Sequence, residues 1–119
     1  IRQLTQALEK LLLGKAEESL MQKELDFDSL MKDIFKMDFN DIASKSKEEL
    51  IKIVKERESK DHADYYEMLG NVFMFHYKIE GKLDFADKAK TFYELYLQTS
   101  GIFALPIINR INELKSELK

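Results

Sequence analysis

The two histidines and the acidic residues near them come closest, in this sequence, to a metal-binding pattern. His62 and Asp64 lie near Glu67, and His76 stands four residues before Glu80. Residues four apart lie on one face of a helix, so such a pair could supply two ligands. The two groups are separate in sequence, and the Glu-x-x-His pairs of di-iron bundles are absent. We therefore predict no metal and no cofactor. His76 is interpreted as a packed histidine with its polar edge satisfied, and His62 as a solvated residue in a first helical turn.

Three further patterns that could suggest chemistry are incomplete. Gly14-Lys15 lacks the earlier glycine of a phosphate-binding loop. No serine stands in the Gly-x-Ser-x-Gly context of a hydrolase nucleophile, and the absence of cysteine excludes thiol chemistry. An acidic run lacks the glycine and the terminal glutamate of a calcium loop; it consists of Asp26, Asp28, Asp33, Asp38 and Asp41. The sequence therefore predicts a protein that is not an enzyme.

The composition is typical of one helical domain. The chain has 119 residues, of which 45% are apolar and 34% charged, with one proline and four glycines. The net charge of −3 is spread along the chain without a basic block, so we expect no nucleic-acid partner. No apolar run reaches the roughly 20 residues of a membrane span, so we expect no membrane partner. The absence of cysteine is compatible with a reducing compartment, and we expect a cytoplasmic protein.

Apolar residues spaced by three and four predict helices in the N-terminal half. A first helix is expected over 1–13, and a second helix or its continuation over 16–35. Residues 37–46 are expected to form a connector with one helical turn. Ser46 and Glu49 form the Ser-x-x-Glu capping box of the next helix. The inward side chains of that helix are expected to be Leu50, Ile51 and Val54.

The second half is expected to contain the bulkiest packing, because ten of the 13 aromatic residues follow residue 60. Helical spacing in "HADYYEMLGNVFMFHYKIE" predicts a helix over 62–80, capped by Asp61 and ended by Gly81. A second helix is expected over 85–99, capped by Asp84. The connection between these helices is so short that they must be antiparallel.

A last helix is expected to start at Pro106, a residue type favoured in the first helical turn. Its apolar stripe consists of Ile107, Ile111, Leu114 and Leu118. The side chains expected to stay in water are Arg110, Glu113, Lys115 and Glu117. We predict that the stripe docks on helix 85–99 near Phe92 and Tyr96, as a capping helix over an apolar face that would otherwise be uncovered.

The hairpin resembles a tetratricopeptide repeat. Tyr-x2-Leu-Gly-x2-Phe at residues 66–73 follows the spacing of the repeat's first helix, and Ala-x3-Tyr at residues 89–93 follows that of its second. The gap between the two motifs is longer than in a standard repeat by about two helical turns, so the resemblance implies one elongated unit. It also implies that Gly70 and Ala89 face each other where the helices approach closely. The helix-packing residues that it implies are Leu69, Gly70, Ala89 and Tyr93.

The whole chain is similar to a group of small bacterial helical proteins with no assigned activity. The shared features are the opening "IRQLTQALEKLLLGK", the middle "SKEELIKIVK" and the repeat-like hairpin. This resemblance implies an all-helical fold and a bacterial origin, and it implies no particular activity.

The aromatic residues of helix 62–80 suggest a contact with another molecule. The helix is apolar nearly all round between Val72 and Tyr77, which indicates either a central helix or one that contacts another chain. Because Tyr65 and Tyr66 are adjacent, we expect one of them to be partly exposed, and tyrosine is favoured at interfaces. The predicted interaction surface consists of Tyr65, Tyr66, Phe73, His76 and Tyr77.

These expectations combine into an all-α, compact bundle of about five helices with a tetratricopeptide-like antiparallel hairpin and a C-terminal capping helix. Residues 1–119 form a single domain, with N-terminal helices in 1–58 and the hairpin and cap in 61–119. The predicted function is non-catalytic binding of an unknown protein or peptide partner. Two alternatives stay open: a homodimer whose seam is the extra aromatic face, and a small-ligand-binding protein or enzyme with a pocket near His76.

Overall fold

Every regular element in the described part of the chain is helical. The structure is a computed structural model that describes residue 29 and residues 31–118. The elements are α1 (Phe39–Ala43), α2 (Lys47–Lys55), a 3₁₀ turn (Ser59–Asp61), α3 (His62–Glu80), α4 (Leu83–Ser100) and α5 (Leu105–Glu117), and residues 31–35 are helical as well. The predicted all-α class is confirmed. The helix expected over 1–13 and most of the one expected over 16–35 lie outside the described residues.

α3 and α4 form the antiparallel hairpin at the centre of the fold. The predicted bounds of α3 are confirmed, and Gly81 ends it in the left-handed region, with φ of +70° and its N–H donating to the Tyr77 carbonyl at 2.7 Å. The pairing of rings shows the opposed directions, because Tyr66 stacks on Phe92 and Phe73 packs against Phe85.

Asp61 stands at the predicted N-cap position of α3 without a side-chain capping bond, whereas the predicted Asp84 cap of α4 is wrong. Asp61 makes no side-chain capping bond and has helical backbone angles, because the 3₁₀ turn leads directly into α3. Asp84 lies inside the first turn of α4, which begins at Leu83. Its carboxylate pairs with Lys88 one turn later, at 3.0 Å.

α3 is a central helix rather than one side of an interface. Its buried residues are Tyr65, Tyr66 and every residue from 68 to 76. A helix that is apolar nearly all round is stable when other elements cover it on several sides. α4 covers one side, the N-terminal elements cover another through Phe35 and Phe39, and α5 reaches the third through Arg110.

Local capping residues fix the ends of the N-terminal helices, and lysine side chains connect these helices to α4. The Ser46 capping box with Glu49 is confirmed, with both of its hydrogen bonds present. The connector contains the expected helical turn, α1, whose first turn is capped by Asp38. Lys88 of α4 donates to the Ala43 carbonyl at the end of α1, at 2.9 Å. This bond satisfies one of the free carbonyls of a helix C-terminus.

α5 packs on the hairpin, as the capping-helix prediction requires, and it buries one polar residue in addition to the predicted stripe. Ile107, Ile111 and Leu114 are buried as expected. Arg110, expected to stay in water, is buried as well, and its guanidinium lies over the Tyr93 ring at 5.8 Å. Phe92, one of the two residues predicted to receive the stripe, stacks on Tyr66 and Phe73 of α3.

Candidate interaction surface

Four of the five residues predicted to form an interaction surface are buried inside the chain. Tyr65, Tyr66, Phe73 and His76 are buried, and Tyr77 is half-buried. The expectation that one of the two adjacent tyrosines is exposed was wrong. Elements on different sides of α3 cover them, since Phe35 packs against Tyr65 and Phe92 stacks on Tyr66. Tyr65, Tyr66, Phe73 and His76 therefore pack inside the fold, and Tyr77 keeps part of its surface in water.

The two histidines are both part of the packing. The His76 ring is parallel to that of Phe39, with a centroid distance of 3.6 Å and an interplanar angle of 7°, and its Nδ1 lies 3.6 Å from Glu80 Oε2. Phe39 therefore fills the space in which a ligand could contact that face of His76. His62, expected to be solvated, is half-buried, because its Nε2 lies 2.8 Å from the Arg57 carbonyl oxygen.

The acidic side chains make no metal-like cluster in the described residues. No group of three His, Cys, Asp or Glu side chains there could hold a metal ion. Asp26 and Asp28 of the acidic run lie outside the described residues. Asp38 accepts a hydrogen bond from the Asp41 backbone N–H at 2.9 Å, which is a helix cap and not a ligand position.

The Tyr93 ring packs directly against Gly70. All four helix-packing residues, Leu69, Gly70, Ala89 and Tyr93, are buried. A Cβ atom on Gly70 would lie 2.6 Å from Cδ1 of Tyr93, and the three atoms nearest to that position all belong to Tyr93. The contact nearest to Gly70 is thus the Tyr93 ring, one turn after Ala89 on α4, and the prediction that Gly70 faces Ala89 stays a prediction.

A buried polar cluster joins the three long helices. Asn71 Oδ1 accepts a hydrogen bond from the Tyr93 hydroxyl at 2.6 Å and another from Arg110 Nη1 at 3.0 Å. Asn71 and Tyr93 have no exposed surface. Buried groups of this kind are costly unless they are hydrogen-bonded, so the cluster fixes α5 in one position on the hairpin.

The other polar contacts near these helices are also structural. Partial desolvation raises the pKa of the Tyr77 hydroxyl, and so does its hydrogen bond to Glu117 of α5 at 3.1 Å. The hydrogen bond to Asp87 raises the pKa of Lys47, with the two groups 2.8 Å apart. Both pairs connect neighbouring elements, and neither places a reactive group in a cavity.

An exposed apolar loop lies between α4 and α5. Ile102 is 50% exposed, Phe103 80% and Leu105 55%. Gly101 ends α4 with φ of +66°, and the Ser100 hydroxyl oxygen accepts a hydrogen bond from the Ile102 N–H at 3.2 Å. Residues 102–105 are named here the apolar loop; Ala104 packs in part against the core, and Leu105 is the first residue of α5. The signal in the sequence was "GIFALP", an apolar run between a helix end and the proline of the next helix.

A groove lies between α4 and α5. Its volume is about 310 Å³. Apolar side chains line it in part, and polar side chains complete its walls; the lining residues are Glu94, Leu97, Gln98, Ile108, Ile111, Asn112 and Lys115. Leu105 and Ile108 are three residues apart on α5 and so share a helical face. This groove is named here the α4–α5 groove.

Comparison with known proteins identifies no relative: no protein-family model, no curated protein and no solved structure matches this chain. Among the described residues, no helix has the length and apolar character needed to cross a membrane. The function is therefore inferred from the chain's own residues.

Proposed function

We propose that the chain is a non-catalytic protein–protein interaction module that binds its partner through the apolar loop and the α4–α5 groove. This proposal rests on the exposure of Phe103, whose side chain is 80% exposed. The aromatic side chains of α3 and α4, by contrast, are mostly buried. An aromatic ring held in water contributes nothing to folding and a large area to an interface.

The sequence of the loop favours binding over an incidental exposure. Three consecutive apolar residues, 102–104, stand in the connection between α4 and α5, where residues are usually polar. Scattered single apolar residues on a surface are normal, but a contiguous group beside a groove is typical of an interaction site. The loop is also short and tied to both helices, so little conformational entropy is lost when a partner orders it.

The buried polar side chains support a module without catalysis. Lys88 contacts the end of α1 and Asp84, and Asn71 contacts Tyr93 and Arg110. Each of these groups joins helices to one another. The groove has Glu94 on its α4 side and Lys115 on its α5 side, so its local charge favours a protein over a nucleic acid.

The setting proposed for this module is the bacterial cytoplasm. The absence of cysteine fits a reducing compartment. The bacterial origin rests on the resemblance of "SKEELIKIVK" and the chain's opening segment to small bacterial helical proteins.

A photo-crosslinking amino acid placed at residue 103 tests the proposed surface in cells that make the protein. Phe103 is exposed, so the replacement should leave the fold unchanged. The matched control is the same amino acid at Leu83, which is 57% exposed at the other end of α4. We expect protein adducts from position 103 and few from position 83. Equal yields at the two positions would exclude the apolar loop as the binding surface.

A further inference from the structure

We infer that the partner of the apolar loop is another protein with an apolar, uncharged recess that receives the Phe103 ring. This inference rests on the proposed function and names the chemistry of its partner. Phe103 is 80% exposed, and Ile102 and Leu105 beside it are 50% and 55% exposed. Association through such a contact is driven by apolar burial, so it should depend little on salt.

The stretch from Leu95 to Asn112 exposes no charged side chain. Its single charged residue is Arg110, which is 9% exposed and donates to Asn71 Oδ1 at 3.0 Å. The exposed positions of this stretch carry amide, hydroxyl or apolar side chains or, at Gly101, none; they are Gln98, Thr99, Gly101, Ile102, Phe103, Leu105, Pro106, Asn109 and Asn112. Charged residues make up 34% of the chain, so the loop and its flanks differ in chemistry from the rest of the sequence.

The nearest exposed charges on the two flanking helices are too distant to act on a partner of the loop. Glu94 precedes Ile102 by eight residues, and Glu113 follows Leu105 by eight residues, which places each roughly 12 Å away along the chain at the helical rise per residue. Glu94 is also paired with Lys90, at 3.0 Å. Charges in water are largely screened beyond about 8–10 Å at physiological ionic strength. The helices that flank the loop therefore provide no electrostatic attraction for a charged partner.

These side chains fit a protein recess better than a lipid surface. Stable peripheral attachment to anionic lipid combines inserted apolar groups with Lys or Arg next to them, because a single weak anchor binds only marginally. Residues 95–112 expose no Lys or Arg. The phenylalanine side chain has no polar atom, so a dry pocket can enclose all of it, and buried aromatic anchors of this kind dominate the energetics of protein interfaces.

Opposite charges placed at Asn109 test whether the recess is uncharged. Asn109 is exposed and lies one turn after Leu105, on the same face of α5. The probe is the whole chain with a photo-crosslinking amino acid at residue 102, titrated into a lysate of the cells that make it. We expect Asn109→Lys and Asn109→Glu each to raise the half-maximal concentration for adduct formation about tenfold, because an uncharged recess pairs with neither charge. The matched control makes the same two changes at Asn40, which is exposed on α1, and should alter that concentration less than about twofold.

Two further measurements with the same probe test whether the recess is dry. Phe103→Tyr adds a hydroxyl that an apolar recess cannot hydrogen-bond, so it should weaken association about tenfold. Phe103→Met stays apolar and of similar size, so it should weaken association less. Raising sodium chloride from about 0.05 to about 1 M should change the half-maximal concentration less than about threefold, because salt screens only attraction between charges. Circular dichroism should show all the variants to be as helical as the unchanged chain.

The outcomes separate this inference from the proposed function. Opposite effects of Asn109→Lys and Asn109→Glu, a loss of about tenfold or more at high salt, or unchanged binding by Phe103→Tyr would overturn the uncharged recess. Adducts from position 103 in excess of those from position 83 would still support the interaction function in each of these cases.

A lipid target is tested with the purified chain and vesicles of phosphatidylethanolamine and phosphatidylglycerol. We expect no co-sedimentation with these vesicles. Co-sedimentation that Phe103→Ser abolishes would assign the loop to a lipid surface and overturn this inference, and so would a crosslinked adduct that consists of two copies of the chain.

Discussion

A methyl group added at Gly70 should destabilise the protein, although the same change stabilises most helices. Gly70 lies in the middle of α3, where replacing glycine with alanine normally gains about 1 kcal/mol of helix stability. Here the new Cβ would lie 2.6 Å from Cδ1 and 2.8 Å from Cε1 of Tyr93. Carbon atoms pack best at about 3.5–4.0 Å, so the ring must move by about 1 Å.

The Tyr93 ring has little freedom to make that movement. Its hydroxyl donates to Asn71 at 2.6 Å, Arg110 lies over its face, and none of it is exposed. Overpacking a core costs about 1–3 kcal/mol, and weakening a buried hydrogen bond costs a similar amount. After the helix gain of about 1 kcal/mol is subtracted from the sum of these two costs, we expect Gly70→Ala to lower the free energy of unfolding by about 1–5 kcal/mol.

Urea denaturation followed by circular dichroism measures this change, and a double-mutant cycle assigns it to the ring. In a Tyr93→Phe background the ring remains, so Gly70→Ala should cost nearly as much as in the unchanged chain. In a Tyr93→Leu background the flat ring edge is gone, and the cost should fall or change sign. The close approach of Gly70 and Tyr93 is refuted if Gly70→Ala stabilises the protein in all three backgrounds.

Three further predictions concern the polar contacts and the pH dependence. Asn71→Leu removes the acceptor of two buried hydrogen bonds. In urea denaturation it should lower the free energy of unfolding by about 2–4 kcal/mol. A loss below about 1 kcal/mol would contradict the structural role of the cluster. Lys88→Met should cost about 1–3 kcal/mol because its buried ammonium bonds the end of α1, whereas Lys90→Met, which breaks a helical pair with more solvent access, should cost less than about 0.5 kcal/mol. Burial raises the pKa of Tyr66 above its usual value near 10. The folded state therefore binds the hydroxyl proton more tightly than the unfolded state does. The stability that this provides is complete below pH 10 and is lost as the pH rises through the raised pKa. Tyr66→Phe should therefore make the stability less sensitive to pH above 10 in thermal denaturation, and an unchanged alkaline profile would contradict burial of this hydroxyl.

The features predicted correctly from the sequence depend on neighbouring residues. The bounds of α3, the left-handed Gly81 and the Ser46 capping box each follow from residues within a turn or two of one another. The apolar period alone also identified the buried stripe of α5. Such signals are readable because backbone hydrogen bonds and caps are local.

The features that were missed depend on contacts between distant parts of the chain. Phe39 lies in a connector, and nothing in its local sequence indicates that its ring stacks on His76, 37 residues later. Arg110 follows the polar side of the α5 pattern, but Asn71 offers it a buried acceptor 39 residues away. The exposure of Phe103 was missed for the same reason. An apolar residue is expected to be covered by the fold, and only the packing shows that no described residue covers Phe103.

The central claim is that the apolar loop is the surface through which the protein contacts its partner. Methyl-resolved NMR of the isotopically labelled chain, in buffer and in an unlabelled lysate of the cells that make it, tests this claim most directly. The account predicts that the methyl signals of Ile102 and Leu105 shift or broaden in the lysate while those of Leu83 stay in place. Unchanged signals at Ile102 and Leu105, or changes centred on Leu83, would contradict it.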